Sequence, residues 1–157
     1  MEIKKSMKIK NDSDYSVPTK AGNGIVIAIY VRSASGSEYQ IEEQISDCKD
    51  FIKSIGYDPD KAVIYVDNGF TGCSVDRPAF LEMMKDANDE KFHILVINDI
   101  SRLARDYHLC DDTLNILGEK HIATYIAKWG ISAREFFPFN HCLINKFMSI
   151  LYNGGRE

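Results

Sequence analysis

Cysteine and histidine are scarce in this chain, and neither falls in a pattern that carries chemistry. The four cysteines (Cys48, Cys73, Cys110 and Cys142) lie far apart, with no C-x-x-C pair and no Cys/His cluster at ligand spacing. That excludes a disulfide framework and a structural zinc site and leaves reduced thiols, as expected of a cytoplasmic protein. His108, His121 and His141 show no Ser-His-Asp or metal spacing and read as surface or packing residues. No apolar stretch approaches the length of a membrane span, and the Lys-rich start is not followed by a signal-type apolar run, so no membrane partner is expected. Positive charge is not in excess either. Residues 1–20 hold five lysines against three acids, which leaves the rest with 14 basic and 20 acidic side chains, a formal charge of about −6. Such a body does not coat itself with nucleic acid. No helix-turn-helix, zinc-finger or basic-helix segment is visible, so no DNA-reading domain is expected in this chain.

Apolar content is ample. With 45% hydrophobic residues in 157, one domain has enough material for a core. Residues 1–22 read as a flexible Lys/Ser-rich arm, 23–134 as one α/β domain, and 135–157 as the start of an interaction helix. Strand-like and helix-like segments alternate: a strand over Ile25–Val31, a helix over Glu38–Ile55 with Ser37 as its cap and Gly56 at its end, and a strand over Ala62–Asp67. A short helix opened by Pro78 follows, then a strand over His93–Asp99, a helix over Asp106–Glu119 and a strand over His121–Ala127. This order predicts a mostly parallel sheet of four to five strands with helices on both faces. The first strand, continuous and β-branched, belongs inside that sheet. After Trp129, a core or interface anchor, the chain is expected to loop into a last helix over Phe139–Tyr152. Apolar on more than one face, that helix either joins the core or pairs with a partner.

Arginine placement is the most informative feature. Four of the six arginines lie where strand-like runs end: Arg32 in IAIYVRSAS, Arg77 in GCSVDRPAF, and Arg102 with Arg105 in VINDISRLAR. Guanidinium is always charged, planar and forked, which suits the oxygens of a phosphoryl group, and open α/β sheets bind ligands at the carboxyl ends of their strands. A single arginine in such a place more often covers a sheet edge or pairs weakly with a surface carboxylate. Four in three segments weaken that reading.

With these segments on the page, the chain resembles the catalytic domain of the serine recombinases, the resolvase/invertase and large serine integrase group, from about Ile25 to its end. Tyr30 and Arg32 match a Y-x-R start, IEEQ (Ile41–Gln44) a glutamine-bearing first helix, and VDNGFTGCSVDRP (Val66–Pro78) an acidic loop ending in D-R-P. NDISRLARD (Asn98–Asp106) matches an S/D-R-L-x-R turn, and EFFPFNHCLINKF (Glu135–Phe147) the start of a long helix. The resemblance implies a resolvase-like fold and phosphoryl transfer on DNA without metal or other cofactor: a serine hydroxyl attacks the backbone, a 5′-phosphoserine link forms, and strands are exchanged within a tetramer. It also implies that Arg32, Arg77, Arg102 and Arg105 hold the scissile phosphate, with Gln44 and Asp67 organising the site. The position matching the family's nucleophile, two residues after the first arginine, is Ala34, which cannot form the ester. Ser33 and Ser35 flank it, but a one-residue shift at a strand end turns a side chain to the other face. Two readings therefore stand: a working recombinase domain using Ser33 or Ser35, paired as dimer or tetramer, and a non-cleaving relative that binds DNA or pairs with an active recombinase. A third, a flavodoxin-like binding module, shares the alternating order but would place Arg32 where a flavin phosphate needs a hydroxyl-rich cradle.

Overall fold

A computed structural model describes residues 24–136. The arm assigned to residues 1–22 and the apolar helix expected over 139–152 lie outside the described residues. The elements run β1 (Ile27–Ser33), α1 (Glu38–Ser54), a single 3-10 turn (Pro59–Lys61), β2 (Val63–Asn68), α2 (Pro78–Asn88), β3 (Ile94–Ile97), α3 (Ile100–Leu103), α4 (Tyr107–Glu119), β4 (Ala123–Ile126), β5 (Ile131–Ser132) and α5 (Ala133–Phe136). The sheet order is β2-β1-β3-β4-β5, parallel except for β5. From β1 the chain first moves outward to β2 and then crosses back to β3, so it reverses direction between β1 and β3. In open α/β sheets the crevice at such a switch point is the preferred ligand site.

Alternation along β1 assigns its two faces. Ile27, Ile29 and Val31 pack with Ile41, Cys48, Phe51 and Ile52 of α1, while Ala28 and Tyr30 pack with Phe80 and Met83 of α2 and Leu114 of α4. Every residue of β1 is buried, as a strand covered on both faces requires. Each large apolar side chain buried here contributes about 1.5–3 kcal/mol. α1 starts where Ser37 Oγ accepts from Gln40 N at 3.3 Å. It ends where Gly56, at φ +91°, donates to Lys53 O and Tyr57 N reaches Ile52 O, a left-handed C-terminal closure open to glycine.

Several sequence-based boundaries move. β1 begins two residues later than expected and carries Arg32 and Ser33 inside the strand, because pairing with β2 continues through Arg32↔Asp67 and Ser33↔Asn68. Ahead of it, Val26 is bound to the segment before β3: its N–H donates to His93 Nδ1 and its carbonyl accepts from His93 N. Within the segment read as a turn lies α3, one helical turn capped by Asp99, whose carboxylate accepts from Ser101 N. A turn that short leaves no periodic pattern to detect. After Trp129 the chain makes β5 and α5 rather than a loop, and Trp129 is 48% exposed, so it is no core anchor.

Among the described residues no helix is long and apolar enough to cross a membrane. Cys48 and Cys110 are buried and Cys73 is exposed. Burial pushes the Cys110 thiol up to about 12, with Asp111 adding to the effect, and raises Cys48 further. Alkylation of the native protein at neutral pH is therefore expected to label Cys73 and to leave Cys48 and Cys110 untouched until denaturant is added. Peptide mapping that found Cys48 modified in the folded protein would contradict this packing.

Candidate active site

The carboxyl ends of β1 and β3 meet the loop between β2 and α2, and all four strand-end arginines gather there. Arg32 and Arg77 are both fully buried, at 0% exposure. Arg32 Nε donates to Arg102 O at 3.2 Å, Nη1 to Phe70 O at 2.9 Å and Nη2 to Ser101 O at 2.7 Å. Arg77 Nε donates to Ser74 O at 2.8 Å, Nη1 to the Tyr30 hydroxyl at 2.9 Å and Nη2 to Leu103 O at 2.9 Å. Its Nη1 also lies 3.4 Å from Arg102 O, and its guanidinium sits 4.0 Å over the Phe80 ring. The consecutive carbonyls of Ser101, Arg102 and Leu103 are thus held by two guanidinium groups. The last carbonyls of any helix lack intrahelical partners and carry the negative end of its dipole. Cations beneath them explain how a single turn such as α3 persists.

Asp67, at the end of β2, binds the same assembly from the other side. Its carboxylate accepts from Tyr30 Oη at 2.8 Å and from Ala79 N and Phe80 N at 2.9 Å each. Pro78 has no N–H to satisfy and Leu81 N reaches Arg77 O, so the first turn of α2 is capped by a carboxylate from another strand. Gln44, on α1, donates through Nε2 to Arg32 O at 3.0 Å and accepts from Arg32 N at 3.1 Å. Pairing of β1 with β3 stops at Tyr30↔Ile97, and the Gln44 amide supplies the next rung.

Arg102 is half-buried and Arg105 is exposed. Arg102 Nη1 donates to Arg32 O at 3.3 Å, and its Nε is buried without a partner. Arg105 N donates to Gly72 O at 3.0 Å. Burial lowers the Arg32 pKa from its usual value, and Arg105, Arg77 and Arg102 push it the same way while Tyr30 opposes them. Burial also raises the Tyr30 phenol, with Asp67 adding to the rise and Arg77 working against it. So many like charges near one buried guanidinium call for an anion.

Around Ala34 the two serines part company. Ser33 is fully buried and Ser35 is exposed, as is Ala34. Ser33 Oγ donates to Gln40 Oε1 at 3.0 Å, accepts from Ser37 N at 3.3 Å and lies 3.2 Å from Ser35 Oγ. Sequence reasoning assigned no role to Gln40, Gly72 or Tyr30. Ser37 and Gln40 do stand at the S-x-x-Q spacing of a capping box, but the Gln40 side chain goes instead to the Ser33 hydroxyl. Gly72 had no signal, because its importance is contact with Arg32 and Arg105. Among the described residues no group of three His, Cys, Asp or Glu is arranged to hold a metal ion.

Fold and cluster together define a doubly wound α/β domain whose switch point is occupied by arginine. Residues 27–145 match the family model of the resolvase N-terminal domain. Similar solved structures include the N-terminal catalytic domain of TP901-1 integrase, with TM-score 0.60 and 21% identity over 83% of this chain and 96% of that one. A resolvase family site-specific recombinase from Streptococcus pneumoniae gives TM-score 0.60 and 24% identity over 84% and 88%. The C-terminal catalytic domain of ISC1926 TnpA, an IS607-like serine recombinase, gives 0.59 and 19% over 81% and 85%. At these identities the likeness to solved structures is one of fold. A comparison with curated proteins gives no match. The chain belongs to the resolvase N-terminal domain family.

Proposed function

We propose that this domain binds the phosphodiester backbone of DNA at the β1/β3 switch point and carries out strand cleavage and exchange there through a phosphoserine link. The observation that carries the reading is the convergence of Arg32, Arg77, Arg102 and Arg105 on one sheet end, with Arg102 Nε buried and unpartnered. Labour divides within the cluster. Arg102 and Arg105 contact the phosphate, where charge on the equatorial oxygens is met by donors already in place. Arg32 and Arg77, spent on carbonyls, hold α3 beneath them and lend their field. Gln44 and Asp67 fix the ends of β1 and α2 on which the arginines stand. The domain works in the cytoplasm as a dimer or tetramer. Sequence-specific recognition requires an additional reading element, since phosphate contacts position a protein without specifying bases.

A second reading is favoured by one residue: Ala34 is exposed at the position that matches the family nucleophile. A non-cleaving relative would keep the phosphate site and pair with an active recombinase. The two readings share DNA binding and differ in cleavage.

Binding is tested by fluorescence anisotropy with a labelled random-sequence duplex. Affinity is expected to be weak and to fall steeply between about 50 and 200 mM salt. The variant Arg102→Ala is expected to lower the slope of log affinity against log salt by about one contact. Salt-insensitive binding, or an unchanged slope in that variant, would remove the phosphate assignment.

A further inference from the structure

We infer that Ser35, and not Ser33, is the nucleophilic hydroxyl of this domain, with Ser33 as its positioning residue; the inference rests on the recombinase reading above. Proton accounting on the two serines carries it. A hydroxyl has one proton to give and two lone pairs. Gln40 Oε1 is an acceptor only, so the Ser33 proton is committed to it. One Ser33 lone pair accepts from Ser37 N. The contact between the two hydroxyl oxygens, at 3.2 Å, therefore has Ser35 as donor and Ser33 as acceptor. Ser33 is then saturated as well as fully buried. Ser35 is exposed, and with its proton turned inward to Ser33 its lone pairs face solvent. A nucleophile must present a lone pair to the phosphorus from outside.

Ser35 is also carried by a fixed loop at the right end of the sheet. Ser33 O accepts from Gly69 N at 2.6 Å and Phe70 N at 3.2 Å, and Gly36 O accepts from Asn68 Nδ2 at 3.3 Å. Gly36 turns the chain at φ +77°, a conformation glycine adopts without a Cβ penalty. Arg102 Nη1, on the carbonyl of Arg32, stands at the base of the same loop. In the step, a bond forms between Ser35 Oγ and phosphorus while the bond from phosphorus to O3′ breaks. As the bond forms, the Ser35 hydroxyl turns its proton from Ser33 to water and the departing O3′ takes one up, which leaves a 3′-hydroxyl with no change of oxidation state. Religation runs the same exchange in reverse.

The test fuses the full chain to a DNA-binding domain of known site and mixes it with duplexes carrying two inverted copies of that site around a randomised core. After denaturing and nuclease digestion, tandem mass spectrometry locates nucleotide phosphate on protein. Wild type, Ser35→Ala, Ser33→Ala and Ala34→Ser are compared. Expected is an adduct on Ser35 in wild type, its loss below detection in Ser35→Ala, and an adduct still on Ser35 in Ser33→Ala. Because Ser35 is exposed, its replacement leaves the fold intact, which circular dichroism checks. An adduct on Ser33 overturns the assignment. An adduct only in Ala34→Ser overturns it while keeping the recombinase scaffold, and no adduct in any version overturns both it and the cleavage reading.

Discussion

Replacing Arg77 by alanine is expected to cost the fold about 3–5 kcal/mol, the range for removing one partner from a buried charged network. Three groups lose their donor at once, the carbonyls of Ser74 and Leu103 and the Tyr30 hydroxyl, while the Arg102 carbonyl keeps only Arg32 Nε. Asp67, only 1% exposed, also loses the cation at the far side of Tyr30. The α2 cap survives, since its two bonds from Ala79 N and Phe80 N do not involve Arg77, so the damage should centre on α3. Arg77→Lys restores the charge but not the fork: one ammonium cannot take the three directions along which the guanidinium donates. It should recover little of the loss. Equilibrium unfolding in urea reads both variants as a shift of midpoint at constant slope. A loss below about 1 kcal/mol in Arg77→Ala would show that the guanidinium does not clasp α3.

The second large effect is expected at a residue with no side chain. A Cβ on Gly72 would lie 2.7 Å from Arg32 Nη2, 3.0 Å from Arg32 Cζ and 3.1 Å from Arg105 Cγ. The far end of an arginine usually swings aside. Arg32 cannot, because all three of its nitrogens are bound to backbone carbonyls. Gly72→Ala should therefore cost about 1–3 kcal/mol, as overpacking of tight interiors does. The strain also has a direct route to the proposed phosphate contact, since Gly72 O holds Arg105 N. The variant should lose duplex affinity at temperatures where it is still folded, by about tenfold or more if one phosphate contact is displaced. If stability and affinity both stay at wild-type values, Arg32 is not pinned in the way described.

Much of the architecture was legible beforehand, for a local reason. Apolar spacing of three and four over Ile41–Ile52 encodes a helix face whatever it packs against, and Ser37 and Gly56 mark its ends by their own conformational preferences. The same applies to β2, β3 and β4, whose cores were read correctly while their ends moved by one or two residues. Ends are set by pairing. Arg32 and Ser33 belong to β1 because β2 runs on beside them. α3 and β5 escaped notice because one helical turn and a two-residue strand carry no period.

For the candidate site, residue types and spacing are read from the sequence, and the contacts each residue makes are read from the fold. Guanidinium at strand ends, the order of five short motifs and alanine where a serine belongs are all properties of the chain as written, because residue type and local spacing fix charge, geometry and chemical competence. Which arginines give their donors to backbone carbonyls is not such a property. Arg32 gives its donors to carbonyls about 40 and 70 positions away in sequence, and only the docking of α3 over the β1/β3 switch point decides that they lie within reach. Likewise Ser33 and Ser35 are alike as residues. The fold buries Ser33 and bonds its hydroxyl to Gln40 and Ser37, and it leaves Ser35 beside it exposed.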